Sequence, residues 1–553
     1  MTRDAGKQGR LGQTLAVFVT AFHNRSLLWL QLAWLAYNST EWGIWLTLMV
    51  WAYLWHGATG DSLIVLVQLV PCIVVSPYLG AMADRMRAGR VLFLGLLVAG
   101  LTMAGTAALI VTGAPAVWIF VLAPFMNIAL SAPRPALAAL LPSVVRTPLE
   151  LTAANVVSSW TESVSVLLAP LVTGVLLGVG GTGLAASVLA GITLLGALFV
   201  AGIPGPPPLT ERSEGVSLTA EVRDGLSAVW NAPGARTLVG VIGSQYIVVG
   251  ALDVLYVVLA ITTLGMGEAG AGYLNSAYGV GGLIGAAITA GLVARRRLAP
   301  ALNAGMVTVA LALGALGLHP TVVGAFILLA IVGLSRTVFD VTGRILLQRA
   351  APPDVIGQVF ALVESLMDAG LALGAVLVPA LVALSGARAA LVGTALLVFV
   401  IIAVSWRRLR RIDDEADVPQ VQIRLLRSVP LFAPLPAPEL EALARALTPV
   451  AAPAGTVVMS EGEEGERYYA IETGQVRVSK HGKEVAILGR GDGFGEIALI
   501  HEVPRTATVT AVTDVQLYSL EKEPFVVALT GHVPAARAAD DLIARRLDEL
   551  QAF

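Results

Sequence analysis

Arg505, near the C-terminus, and the glycine-rich run that precedes it have the residue types that a phosphate site requires. Arg505 lies in the segment FGEIALIHEVPRTATV, which runs from Phe494 to Val509. The glycines of the overlapping run GDGFGEIAL let the backbone approach a ligand closely, and a short helix here would direct its free N–H groups at an anion. The planar guanidinium of an arginine matches phosphate oxygens. The segment therefore predicts a phosphate-binding site.

A second set of charged side chains lies inside long apolar segments, where an ionisable group is costly and usually faces protein or a water-filled cavity. Its members are Glu41, Arg134, Asp253, Arg336, Asp340, Glu364 and Asp368. We hypothesise that Glu41 or Asp253 binds a coupling proton or a cationic substrate, because burial favours the protonated form of a carboxylate. The alternative is an interhelical ion pair or hydrogen bond.

Four-residue spacing places Arg336, Asp340 and Arg344 on one helix face, and Glu364 and Asp368 on another. Two readings stay open for these groups. They form either a gate that breaks when a cavity opens or a permanent pairing network. Six tryptophans near the first apolar segment leave a similar choice between stacking an aromatic substrate and anchoring the protein at the interface. These are Trp29, Trp34, Trp42, Trp45, Trp51 and Trp55.

Composition separates the chain into a lipid-embedded part and a polar part. Of 553 residues only 13% are charged, and the mean hydropathy is +0.78, which is unlike an average soluble protein. Residues 421–553 have ordinary polarity. A formal net charge of -2 gives no reason to expect nucleic acid as a partner. The single cysteine, Cys72, excludes an intramolecular disulfide and a cysteine-based metal site.

Segments of about 20 apolar residues, enough to cross a bilayer as helices, recur through residue 405. We predict an all-α domain, 1–405, with twelve spans. Its two halves are 26–203 and 236–405, joined by a cytoplasmic linker, 204–235. Residues 406–420 link this domain to a second domain, 421–553. The spans are 28–55, 62–83, 91–112, 117–139, 153–177, 184–203, 236–262, 271–294, 300–317, 322–344, 356–383 and 388–405.

Arginines in the loops predict the orientation, because short loops rich in Arg or Lys stay on the cytoplasmic side. Almost all loop arginines follow the even-numbered spans, and Arg388 is the exception. Both termini and the polar domain are therefore predicted to be cytoplasmic. Only four basic residues are lysine, namely Lys7, Lys480, Lys483 and Lys522, which favours a GC-rich bacterial genome and hence a bacterial inner membrane.

The segment GAMADRMRAGR, Gly80 to Arg90, resembles the signature of the major facilitator superfamily, with one extra residue before its second glycine. The residues in register are Gly80, Asp84, Arg85, Gly89 and Arg90. The resemblance implies two parallel six-helix halves around a central cavity and a gating role for this loop. The run from Arg134 to Val157 is similar to the drug and siderophore exporter branch, which implies export of a small amphipathic molecule.

The segment from roughly Leu425 to Leu550 resembles the cyclic nucleotide-binding domain, an α+β fold with a β-roll and flanking helices. The implied ligand contacts are Phe494, Gly495, Glu496, Ile497, Ala498, Leu499, Arg505, Thr506 and Ala507. In that family the backbone amides and Arg505 would hold the cyclic phosphate, and Glu496 would accept the ribose 2′-hydroxyl. Thr506 leaves cAMP and cGMP open, with cAMP preferred. Leu542 and Leu547 are candidate lid residues over the base.

These patterns support two functions. The first is a secondary membrane transporter regulated by a cyclic nucleotide, with the bilayer, the nucleotide and a small-molecule substrate as partners. The second is a membrane receptor that uses the same parts without net transport. We expect no enzyme activity, no metal and no cofactor beyond the regulatory ligand, because the sequence shows no nucleophile–base pair, metal cluster or nucleotide triphosphate loop.

Overall fold

The computed structural model describes residues 24–83, 86–145, 148–203, 205, 227, 229–230, 232–292, 297–351, 356–415, 419–435, 437–501, 503–531 and 533–551. These residues form two compact units. The first contains Ala21–Val144 and Val157–Ala416, and the second contains Val145–Val156 and Asp417–Phe553, in each case for the residues described. The predicted domain bounds stay a prediction.

The first unit consists of helices. Its sequence is apolar over long stretches, and in lipid such a stretch must form its backbone hydrogen bonds internally, as a helix does. The helices are α1 (Arg25–Ala83), α2 (Ala88–Thr112), α3 (Ala116–Ser131), α4 (Pro133–Val144), α5 (Pro148–Val200), α6 (Pro233–Val258), α7 (Gly267–Leu292), α8 (Ala299–Leu318), α9 (Val322–Ala350) and α10 (Ile356–Glu415). Of α5, residues 148–156 are grouped with the second unit. A π-helical turn, Leu259–Thr263, continues α6.

Three of these helices are interrupted by non-helical residues where the sequence predicts loops between spans. The interruptions are at His56 and Gly57 in α1, at Gly180 and Gly181 in α5, and at Gly386 in α10. Eight stretches in the described part are long and apolar enough to cross a membrane, and three of them contain such an interruption. The unit is therefore a multi-pass helical bundle, and the count of twelve crossings stays a prediction.

The predicted span 117–139 falls within Ala116–Val144, one of the stretches long and apolar enough to cross a membrane, and the structure forms it from two helices. The structure ends α3 at Ser131 and begins α4 at Pro133. Pro133 has no backbone N–H to continue the hydrogen-bond ladder, so the helix is interrupted there.

The second unit is a β-roll with flanking helices. Its helices are α11 (Gln420–Ser428), α12 (Ala437–Ala446), α13 (Glu496–His501), α14 (Lys522–Thr530) and α15 (Val533–Gln551). Its strands are β1 (Thr448–Ala452), β2 (Val457–Met459), β3 (Arg467–Thr473), β4 (Val476–Lys480), β5 (Lys483–Leu488), β6 (Gly493–Phe494), β7 (Thr508–Ala511) and β8 (Val515–Glu521). All pairings are antiparallel, with strand orders β1-β8-β3-β6 and β2-β7-β4-β5.

Two stretches of this unit each form two elements. Residues 423–447 contain the two helices α11 and α12. Residues 467–480 form the two strands β3 and β4, which meet at a turn where Gly474 has φ +90°. Only glycine adopts that conformation readily, so it separates the two strands.

The helices of the second unit are held to the roll by an aromatic core. The ring of Tyr468 stacks on Phe525 at 5.0 Å between centroids and meets Phe432 edge-on at 5.3 Å. All three side chains are buried. Phe432 follows α11, Tyr468 lies on β3 and Phe525 lies on α14, so this contact fixes helices before and after the strands to the same sheet.

Candidate ligand sites

A small cavity of about 70 Å³ lies inside the β-roll, beside the short helix α13. Of the nine predicted contact residues, Phe494, Gly495, Glu496, Ile497, Thr506 and Ala507 line it. Ala498 and Leu499 are buried behind the start of α13. Drug-sized ligands usually occupy pockets of about 300 Å³ or more, so a nucleotide requires this cavity to expand.

The turn into α13 depends on Gly495, whose φ is +95°. The first N–H groups of any helix lack partners within the helix, so those of Glu496, Ile497 and Ala498 are available to an anion. A Cβ at position 495 would lie 2.7 Å from Nη1 of Arg505. Both the backbone conformation and the space therefore require glycine here.

Arg505 is held against this turn by two backbone carbonyls. Its Nη1 donates to the carbonyl oxygen of Gly495 at 2.9 Å, and its Nη2 donates to that of Arg467 at 2.7 Å. The side chain is 6% exposed, and burial lowers the pKa of Arg505 from its ordinary value. Within the described residues the hydrogen bonds of this guanidinium go to neutral carbonyls, and such a partly desolvated cation gains stability when an anion approaches.

Glu496 is 1% exposed and pairs with a residue that sequence reasoning missed. Nη1 of Arg546, on α15, donates to Oε1 of Glu496 at 2.6 Å. Oε2 of Glu496 is buried and has no hydrogen-bond partner within the described residues. Burial alone lowers the pKa of an arginine, but the Glu496 carboxylate and this hydrogen bond outweigh it and raise the pKa of Arg546.

The last helix closes the cavity with other residues than those expected. Ile543 packs against Ile497 and Ala507, and Arg546 lines the cavity. Leu542 instead packs against the aromatic core of the unit and does not line the cavity, and its place over the base stays a prediction. The side chain of Leu547 lies outside the described part. The helical period of α15 could have indicated Ile543 and Arg546, which are three residues apart and share a face.

The first unit contains a larger cavity of about 410 Å³ between its two halves. It brings together four predicted side chains that are distant in sequence, Glu41, Arg134, Asp253 and Arg336. The cavity also has apolar and aromatic walls that include Trp42, Trp45, Tyr246, Tyr256 and Tyr278. Asp340, Glu364 and Asp368 do not line it. The lining is suited to an amphipathic molecule that carries charge.

Arg134 is the centre of an ion-pair network at this cavity. Its Nη1 lies 2.6 Å from Oε1 of Glu162, and its Nη2 lies 3.4 Å from Oε2 of Glu41. The Tyr37 hydroxyl donates to Oε1 of Glu41 at 2.9 Å, and the Arg134 guanidinium lies over Trp34 at 5.6 Å. Glu162 was missed by the sequence analysis because nothing in its spacing linked it to Arg134.

The charged group around Arg336 contains ion pairs that fit both interpretations, a gate and a permanent pairing network. Nε of Arg344 lies 3.4 Å from Oδ2 of Asp340, and Nη1 lies 3.2 Å from Oε1 of Glu364. Arg336 instead lies over the Tyr246 ring at 5.6 Å. The structure therefore pairs α9 with α10 through Arg344. Whether these pairs break during a conformational change stays a prediction.

The predicted gating loop is described only in part. Gly80 lies in the last turn of α1, while Asp84 and Arg85 lie outside the described residues. Gly89 is buried, and a Cβ there would collide with the Ile203 carbonyl oxygen. Arg90 is exposed. The glycine thus allows α2 to approach the end of α5 closely.

The tryptophans divide between protein packing and the cavity. Trp29 stacks on Phe199 at 5.1 Å, and Trp51 stacks on Trp55 at 6.4 Å. Trp42 and Trp45 line the cavity, and Nε1 of Trp45 donates to Oδ2 of Asp253 at 3.3 Å. Of these five tryptophans, Trp42 and Trp45 are the two that line the cavity and are placed to meet a substrate.

Comparison with known families agrees with this architecture. The family described as Major Facilitator Superfamily matches residues 15–318 and 238–460, which together are most of the chain. The chain belongs to the major facilitator superfamily. The family described as Cyclic nucleotide-binding domain matches residues 449–531. The resemblance of the sequence to a superfamily member fused to a cyclic nucleotide-binding domain is therefore confirmed, and the protein is a multi-pass membrane protein.

Several relatives are similar to the C-terminal part. A cAMP-dependent protein kinase regulatory subunit from Yarrowia lipolytica is 43% identical over 102 residues, which are 18% of this chain and 27% of that protein. A cyclic nucleotide-gated potassium channel from Rhizobium etli is 42% identical over 104 residues, or 19% and 29% of the two chains. The chain spans less than a third of the length of either relative.

Solved structures are similar over the same part. The regulatory domain of Toxoplasma gondii PKA with cAMP is 34% identical, with a TM-score of 0.19 over 20% of this chain and 44% of that chain. The Thermus thermophilus Catabolite Activator Protein is 31% identical, with a TM-score of 0.21 over 22% and 60%.

Proposed function

We propose that the protein is a secondary active transporter of the bacterial inner membrane, regulated by cAMP that binds to its cytosolic C-terminal domain. The transported molecule is small and amphipathic, and the direction is export. One observation carries the regulatory part. Among the described residues, Oε2 of Glu496 is a buried carboxylate oxygen without a hydrogen-bond partner, and it lies at the first turn of α13, whose leading N–H groups can face an anion.

A cyclic nucleotide satisfies each of these groups. The ribose 2′-hydroxyl donates to Oε2 of Glu496, which is otherwise a buried acceptor that costs free energy. The cyclic phosphate meets the first N–H groups of α13 and the guanidinium of Arg505, and the base lies under Ile543. The Toxoplasma gondii domain, which is similar in sequence here, was solved with cAMP. Thr506 lines the cavity and offers a hydroxyl to a guanine, so cGMP is the second ligand to test.

The transport part is supported by the charged lining of the central cavity. Glu41 is half-shielded beside Arg134, and Asp253 accepts a hydrogen bond from Trp45. Either carboxylate can exchange a proton for a cationic group of the substrate as access alternates. Nucleotide binding biases this alternation by a coupling free energy that is typically about 1 to 3 kcal/mol, or about 5- to 150-fold.

Flux in proteoliposomes tests the proposal. A fluorescent amphipathic dye and a fluorescent lysophospholipid serve as probes, with an imposed proton gradient and with cAMP on the side of the C-terminal domain. We expect gradient-driven flux of at least one probe, a change in its rate with cAMP, and loss of the gradient effect in Glu41→Gln. An Arg505→Ala protein should still transport without responding to cAMP.

The receptor alternative predicts a different result. Calorimetry would show cAMP binding, while no probe would move under any gradient. Absence of cAMP and cGMP binding by the purified chain would contradict the regulatory part, whatever the flux.

A further inference from the structure

Asp61 is a fully buried acidic residue that plays no part in the proposed cavity. Its exposure is 0%, and both carboxylate oxygens lack a hydrogen-bond partner among the residues the structure describes. It follows the interruption of α1 at His56 and Gly57 by a few residues. A buried carboxylate without a hydrogen-bond partner needs an explanation beyond packing.

The groups near Asp61 do not neutralise a negative charge. The titratable groups that interact with it electrostatically are Tyr53, on the same helix, and Asp253, on α6. No lysine, arginine or histidine of the described part forms an ion pair with it. An ionised carboxylate buried without a partner costs several kcal/mol, whereas the neutral acid costs far less.

Asp61 also lies where the two halves of the bundle meet. The hydroxyl of Ser62, the next residue, donates to the Ala375 carbonyl oxygen of α10. Nearby, Trp45 of α1 donates to Asp253 of α6. Alternating access separates the halves at one end of the bundle at a time. Opening this end would part α1 from α10 and bring water to Asp61.

From these contacts we infer that Asp61 is a proton-binding site whose protonation accompanies closure of this end of the bundle. When the end is open, the Asp61 carboxylate is hydrated and ionised. On closure it takes up one proton from water and is buried as the neutral acid; on reopening it returns the proton to water. The inference rests on the proposed transport function only in that it assumes alternating access.

A bound metal cation does not fit the same site. Sodium, calcium and magnesium ions are held by several oxygen ligands. Within the described residues, neither Asp61 oxygen has a hydrogen-bond partner, and no group of three or more histidine, cysteine, aspartate or glutamate residues is arranged to hold a metal ion. One proton needs only the carboxylate itself.

Infrared titration of the whole protein tests the site directly. The protein is reconstituted in vesicles of phosphatidylethanolamine and phosphatidylglycerol, and the C=O band of protonated carboxylic acids is followed from mildly acidic to alkaline pH. We expect a band that persists at neutral pH in the wild type and that is smaller by one acid in Asp61→Asn. Glu268→Gln is the matched control, because Glu268 is a partly buried carboxylate at the start of α7 with one unpartnered oxygen. It should keep the Asp61 band.

A distance measurement reports the coupling to closure. Spin labels at Thr112 and Leu318, which are exposed ends of α2 and α8, are placed in a Cys72→Ala background. We expect the distribution of distances between the two spin labels in the wild type to shift to longer values as the pH rises, because ionisation favours exposure of Asp61. Asp61→Asn should keep the short distance at every pH, and Asp61→Glu should restore the shift.

Two results would overturn the inference. One is an infrared band unchanged in Asp61→Asn, which would mean that Asp61 is ionised in the closed protein. The other is an Asp61→Asn protein whose distances still shift with pH as in the wild type. Neither measurement uses cAMP or a transported probe, so failure here is distinguishable from failure of the proposed function.

Discussion

Oε1 of Glu496 and Nη1 of Arg546 lie 2.6 Å apart although fifty residues separate them in the chain. The pair joins the start of α13 to the last helix, and it consumes one of the two oxygens through which Glu496 can meet a ligand. A nucleotide that enters the cavity of about 70 Å³ must therefore move α15 or share Glu496 with Arg546. The ligand and the last helix are coupled through one carboxylate.

Arg546→Ala should destabilise the second unit. Its loss leaves Glu496 buried without its charged partner, which costs about 3 kcal/mol. The change in the free energy of unfolding is measured by urea unfolding of the solubilised chain, monitored through hydrogen exchange of β3 and β8. Arg477→Ala is the control. Its pair with Glu484 has the same 2.6 Å separation but is about half exposed, so the expected loss is under about 1 kcal/mol. Equal losses would contradict the burial argument.

Removing the ribose 2′-hydroxyl should weaken binding through Glu496. A hydrogen bond to a charged acceptor contributes about 1.5 to 3 kcal/mol, so 2′-deoxy-cAMP should bind the wild type roughly 10- to 100-fold more weakly than cAMP. Glu496→Gln should bind both ligands with nearly equal affinity, because the charged acceptor is gone. Calorimetry of the two proteins with each of the two ligands gives the coupling energy between the Glu496 carboxylate and the 2′-hydroxyl. The same ratio in both proteins would show that the hydroxyl contacts another residue.

Arg505→Ala should weaken cAMP binding by roughly 100-fold, since a charge-assisted contact to phosphate contributes about 3 kcal/mol. The matched control is Arg490→Ala, which removes the same charge from an exposed position and should leave the affinity within about twofold. Because Arg505 also holds the carbonyls of Gly495 and Arg467, thermal unfolding must be recorded beside calorimetry. Retained affinity in a folded Arg505→Ala protein would assign the phosphate to other groups.

Gly495→Ala should damage both the fold and the site. The residue has φ +95°, and a Cβ would lie 2.7 Å from Nη1 of Arg505, so we expect a loss of about 1 to 3 kcal/mol in stability. Gly489→Ala is the comparison, because a Cβ at Gly489 meets nothing within 4 Å. It should change the stability by less than about 0.5 kcal/mol. Thermal unfolding with and without cAMP separates the two variants, and equal melting temperatures would refute the steric argument.

Features that depend on local pattern could be predicted without a structure. Apolar segments of membrane-spanning length predicted the helical bundle, because a bilayer leaves no other way to satisfy the backbone of a lipid-exposed chain. The GDGFGEIAL run and Arg505 indicated the phosphate turn, because glycine conformation and guanidinium geometry are properties of residues close in the chain. The cavity charges Glu41, Arg134, Asp253 and Arg336 were found because charge inside an apolar segment is visible without a structure.

The folded chain was needed to show which distant residues meet. It paired Glu496 with Arg546 and Arg134 with Glu162, placed Ile543 rather than Leu542 against the pocket, and buried Asp61 at the meeting of the two halves. Periodicity gives the faces of one helix, but partners in another helix depend on how the helices pack and cross. Burial of a carboxylate near a predicted loop likewise follows from packing of the whole bundle, which no short segment encodes.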